Sequence, residues 1–232
     1  MIRRLAILSL AVGLILTAGA RRAPAYWYDG PSWPSNPVMS LQFGSISNGV
    51  TLTDGSTTWG QPAEAAMAIW NQYMDRVQFR VIRDSTASTG LGNGVNNAFW
   101  SSSIYGRSWE SYAGYALWLS SGRSITEADV LMNEQLSWNS YRGNARSGVV
   151  DFRRLVMHEF GHVIGLNHPN DHGQNVAAVM NSSPATPTRS QLTTSPPPSS
   201  STPWGAAAAC RSRLATSRST SAPSSRRNTG MA

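Results

Sequence analysis

Three of the chain's four histidines fall in one short run, His158-Glu159-Phe160-Gly161-His162-Val163-Ile164-Gly165-Leu166-Asn167-His168, and no other stretch limits the fold as tightly. Side chains four residues apart on a helix lie on one face, about one turn from each other, so His158 and His162 can meet a single ion. Glu159 is rotated by about 100° from His158, away from the ligand row but within reach of a water held there. Gly165 lacks a Cβ and can leave the helix in a left-handed conformation, turning the chain so that His168 returns to the same point. Three neutral imidazoles hold Zn²⁺ at roughly 2.0–2.1 Å and leave a fourth position open. Such a site lowers the pKa of a water toward about 7, with Glu159 as general base. A bare His-Glu-x-x-His is a modest signal. Requiring Gly165 and His168 as well cuts chance matches by a factor on the order of several hundred. His172, the fourth histidine, reads as a solvated loop residue and not a ligand.

The rest of the chain divides around this run. Arg3 and Arg4 precede an apolar stretch from Leu5 to Leu16, followed by small-x-small cleavage signals after Ala20 or after Ala25. This is the pattern of a signal peptide over residues 1–25; the apolar run is short for a membrane span, so no stable membrane insertion is expected after cleavage. Export places the protein outside the cell or in the periplasm. Residues 26–181 read as one catalytic domain. From 182 to 232 the composition shifts abruptly to Ser, Thr, Pro, Ala and Arg, which cannot bury enough apolar surface to offset ordering entropy. Disorder is expected there, and the abruptness near Ser183 also fits a shifted reading frame.

The formal charge of +7 gives a false impression of the domain. Between Ala23 and Asp171 there are nine Arg against twelve Asp and Glu, the other arginines lying in the leader and tail. The domain is slightly acidic, and no nucleic-acid surface follows. The single cysteine, Cys210, excludes an internal disulfide and a multi-thiolate zinc site.

Within the domain, Val38–Gly44 and Val77–Ile82 alternate as strands. The Ala-rich stretch Gln61–Met74 between them is an amphipathic helix. Residues 84–97, with Gly90, Gly92 and Gly94, read as a loop without the Lys or helix start of a phosphate cradle. Tyr115–Leu119 and Ala128–Met132 are strands around a turn at Ser121-Gly122. Asp151 caps a periodic helix running to about Leu166. Strands and helices mix without a strict βαβ repeat, so the expected class is a layered α/β (α+β) domain. The nine tryptophans suit packing better than carbohydrate stacking.

The extended histidine motif resembles that of the metzincin metallopeptidases. Val179-Met180 stands where those enzymes have their Met-turn, with Met180 as a hydrophobic floor. The short span from His168 to Met180, Trp70-Asn71, and Ile125-Thr126-Glu127-Ala128-Asp129-Val130 resemble the matrixins and their bacterial relatives; Pro169 is more like the serralysins. The resemblance implies a twisted, mostly parallel five-stranded sheet with an antiparallel edge strand and an active-site helix. It also implies a monomeric, secreted zinc endopeptidase. Its protein or peptide substrate would lie along the edge strand, here Tyr115–Leu119, by strand addition. Calcium is a further ion that loop carbonyls and carboxylates leave open. The chain departs from the family in having no zinc-blocking cysteine before the domain and no His before His158 for a second zinc. It also has no clear counterpart of the final helix. A secreted zinc-binding remnant without catalysis, and a cell-wall-binding module, are the rival readings.

Overall fold

The computed structural model describes residues 27–28, 30–44, 51–144, 146–183 and, as backbone, 210–213. The leader, both cleavage points and most of the tail lie outside the described residues. Five strands build the main sheet: β2 (Val38–Gln42), β3 (Arg80–Ile82), β4 (Asn96–Ser101), β5 (Tyr112–Ser121) and β6 (Ser124–Asn133). Their order is β3-β2-β4-β6-β5; only β5 runs antiparallel to its neighbour, as expected of the edge strand. Helices α1 (Gly60–Asn71) and α2 (Phe152–Val163) pack on one face and against each other. Two-residue strands β1 (Trp27–Tyr28), β7 (Trp138–Asn139), β8 (Val150–Asp151) and β9 (Leu166–Asn167) pair locally, β1 with β9 and β7 with β8. A final strand, β10 (Cys210–Arg213), lies in the stretch expected to be disordered and pairs antiparallel with β5. A sheet edge is a template for one further strand, and β10 takes that position beside β5.

Strand β4 begins inside the stretch that reads as a loop, because Asn96 and Asn97 are poor strand formers. Tertiary bonds override that preference. The Asn96 carboxamide accepts from the amide of Ala128 at 2.9 Å and donates to the carbonyl of Val38 at 3.0 Å, tying β4 to both neighbours. Asn97 donates from its side chain to Gln42 Oε1 at 2.8 Å. Helix α1 ends at Asn71 instead of Met74 because Asn71 turns its amide onto Phe79. Its Oδ1 accepts from Phe79 N at 2.8 Å, and its Nδ2 donates to Phe79 O at 3.0 Å. That two-point clamp imitates a strand partner and delivers the chain into β3.

The period-2 alternation of the sheet sorts its side chains into two clusters. Met39, Leu41, Ala98, Val130 and Met132 face the helices and meet Ala63, Ala66, Phe152, Val156 and Phe160. Trp59, Trp100 and Trp138 pack around Phe152 with ring centroids 5.0–6.0 Å away. On the other face Phe99, Ile104, Trp109, Tyr112, Tyr115 and Leu131 form a second cluster, which holds the 102–111 loop to the sheet without any metal-binding side chain.

That outer face also carries two buried carboxylates from β6. Glu127 accepts from the amides of Gly92 and Gly94 at 2.5 and 2.6 Å, pinning the glycine-rich loop. Asp129 accepts from Asn97 N at 2.8 Å and takes the hydroxyl hydrogen of Tyr105 in a short bond. Burial pushes the Asp129 carboxyl up to about 6 against the pull of those hydrogen bonds. The folded protein therefore binds this proton more tightly than the unfolded chain, and the group's contribution to stability is lost as pH rises from about 4 to about 6. The expected loss is on the order of 2–3 kcal/mol. Urea midpoints at pH 4 to 7 for the native chain and Asp129→Asn should diverge over that interval. Parallel curves would show that Asp129 ionises normally.

Candidate metal centre

Helix α2 is built to present the site. Asp151, extended at φ −83°, caps it by accepting from Arg154 N at 3.3 Å. The helix is buried on nearly all sides, so its polar residues must be satisfied from within the protein. The Trp70 indole of α1 donates to the carbonyl of Met157 at 2.8 Å, and the Trp33 indole donates to the carbonyl of Val163 at 2.7 Å. These bonds fix the roll of α2 beneath the sheet.

The helix stops at Val163, three residues short of the sequence expectation, because Gly165 takes a left-handed φ of +90°. A Cβ there would sit 3.0 Å from the Tyr28 ring. The reversed chain pairs Leu166 with Tyr28 and Asn167 with Trp27 in the β1–β9 bridge. His168 then enters the site, as the spacing predicts.

The three imidazoles converge. His158 Nε2 lies 2.9 Å from His162 Nε2 and 3.1 Å from His168 Nε2. Among the described residues they form the one group of three or more such side chains able to hold a metal ion. Each Nδ1 is committed elsewhere: His158 to the carbonyl of Val179 at 2.7 Å, His162 to that of Leu166 at 2.7 Å, and His168 to Asp171 Oδ2 at 2.9 Å. Those acceptors place the ring proton on Nδ1, so every Nε2 turns a lone pair toward the same point. Three lone pairs at such distances repel unless a cation sits among them, and the donor set therefore fits zinc. Burial drives His158 down to about 3, with the neighbouring imidazole of His168 adding to the effect. It lowers His162 strongly and His168 as well. All three stay neutral near pH 7, the form that ligates metal.

Met180, almost fully buried, closes the floor. A Cβ on Gly161 would fall 2.2 Å from the Met180 sulfur and 3.0 Å from the Trp70 ring, so the helix touches the floor at a residue without a side chain. Glu159 is fully buried and faces β5, its carboxylate next to Gly114; a Cβ on that glycine would come 2.7 Å from Glu159 Oε1. The carboxylate thus lies between the histidine cluster's helix and the edge strand. His172 is exposed and stacks on Trp27 with ring centroids 4.2 Å apart, outside the cluster. Asp171 is not among the residues that the histidine motif singles out; its signal in the sequence is an acid three residues after His168, the spacing of an orienting partner.

A mixed sheet with one antiparallel edge, and an active-site helix whose two imidazoles are joined by a third across a glycine reversal, define a zinc metalloprotease domain. The matrixin family model matches residues 53–194, and the chain belongs to the matrixins. No curated protein matches it.

Proposed function

We propose that this matrixin is an exported endopeptidase in which His158, His162 and His168 bind one zinc ion and Glu159 is the general base. The observation that carries the reading is the convergence of three Nε2 atoms whose Nδ1 partners are already engaged. Bound zinc supplies a Lewis acid for the scissile carbonyl and acidifies the attacking water. The chain's own residues do the rest. A substrate strand added to β5 brings its carbonyls past Gly114, beside the Glu159 carboxylate. Glu159 accepts a proton from the attacking water and hands it to the departing amide nitrogen. Val179, Leu166 and Asp171 hold the imidazole rings in register. The leader at residues 1–25 supports action outside the cytoplasm, in the extracellular space or periplasm. No described helix is long and apolar enough to cross a membrane.

The tryptophans do not favour the wall-binding alternative. Of the eight within the described residues only Trp27 is exposed, and it stacks on His172. The test is a peptide-library digestion read by mass spectrometry, with and without chelator. Hydrolysis should vanish on chelation and return with stoichiometric zinc. One equivalent of bound zinc with no cleavage of any peptide would instead identify a non-catalytic zinc protein.

A further inference from the structure

Strand β10 carries information that the peptidase reading does not use. It pairs antiparallel with one half of β5: Cys210 opposite Ala116, Arg211 opposite Tyr115, Ser212 opposite Gly114, and Arg213 opposite Tyr112 after a register shift. It also lies beside α2. The half of β5 that it covers, Tyr112–Ala116, is buried throughout, whereas Leu117–Ser121 beyond it becomes progressively exposed. Gly114 is the β5 residue that meets Glu159, so the tail backbone at Ser212 lies across the strand from the general base. An extended segment of this same chain therefore occupies the edge to which an external peptide would add.

We propose that Cys210–Arg213 is a self-peptide that occupies the substrate edge of β5 and competes with external peptide for the cleft. Main-chain pairing is largely indifferent to side-chain identity, which explains how a Ser/Arg segment of low hydrophobicity can take this place. Four paired residues bind weakly in isolation. Tethering changes this: the segment between Ser183 and Cys210 is 26 residues long, and covalent attachment makes the pairing intramolecular, at an effective concentration set by the length of the connection. Closing such a loop adds only a slowly growing entropic cost. The result is a closed state that external substrate must displace, with the apparent affinity for that substrate reduced by the open fraction. This inference rests on the peptidase reading at one point, namely that external peptide uses the same edge.

The test compares the full chain with a full-length variant carrying Arg211→Pro and Ser212→Pro, since proline cannot donate to a ladder. Hydrogen exchange at the β5 amides facing β10, within Tyr112–Ala116, should accelerate roughly tenfold in the variant. In zinc-loaded protein, KM for an unrelated peptide should fall by about tenfold with kcat unchanged, the result expected when nine-tenths of the chains are closed. Equal exchange at those amides in the two chains overturns the proposal, even if both cleave peptide normally. Faster exchange in the variant upholds tail occupancy even if neither chain hydrolyses anything, in which case the peptidase reading alone has failed. Protection that grows with protein concentration points to the tail of a second copy and overturns pairing within one chain.

Discussion

Replacing Glu159 with alanine should lower kcat by about 10²- to 10⁴-fold, the range that a positioned proton-transfer group supplies, while zinc still binds at one equivalent. The two outcomes separate because Glu159 shares the helix with the ligands but not their direction. His158 and His162 point their Nε2 atoms at one another, whereas Glu159 is directed at Gly114 on β5. Truncation at Cβ removes the proposed proton acceptor without disturbing the Nδ1 bonds that hold the rings. Metal analysis alongside single-turnover peptide cleavage checks both halves. Zinc lost together with turnover would show that Glu159 supports the ligand cluster; turnover left intact would refute its role as base.

The second large effect is expected at Gly161. Adding one methyl group places a carbon 2.2 Å from the Met180 sulfur and 3.0 Å from Trp70, far inside van der Waals contact. Met180 is almost fully buried, so it has little room to retreat, and Trp70 is anchored to the Met157 carbonyl. Overpacking of this kind costs about 1–3 kcal/mol. Here the strain falls between the two ends of the ligand set, since Val179, beside Met180, accepts the His158 ring proton. Gly161→Ala should therefore lower the melting temperature and weaken zinc binding by about 10- to 100-fold, as loss of an outer partner of a metal ligand does. Competition with a chromophoric chelator and thermal unfolding of the apo and zinc forms measure the two effects. Unchanged zinc affinity would mean that the floor adapts without moving the His158 ring.

The convergence of the three imidazoles was legible in the sequence because its geometry is local. Helical spacing fixes His158 against His162, and Gly165 is the one residue between His162 and His168 that accepts a φ of +90° without strain. The Asp151 cap was legible for the same reason. What escaped was held by distant partners. Asn96 and Asn97 look like loop residues until Val38, Gln42 and Ala128 supply their bonds. Trp27 and Tyr28 sit in a Pro- and Gly-rich stretch and become a strand only through Leu166 and Asn167. Strand β10 has almost no hydrophobic pattern of its own. The edge it joins determines its conformation, and such borrowed order leaves no periodicity to read.

The β1–β9 bridge joins the amino-terminal part of the described chain to the histidine cluster. Trp27 and Tyr28 brace the turn that carries the third imidazole, and they follow the proposed leader almost at once. The two proposed cleavage points, after Ala20 and after Ala25, differ by five residues, yet cleavage at either would leave this brace in place. Trimming past Tyr28 would not, and the amino terminus would then set how firmly the last ligand is held. A protease acting on a few residues at one end of the chain could thus tune a site more than a hundred residues away in sequence.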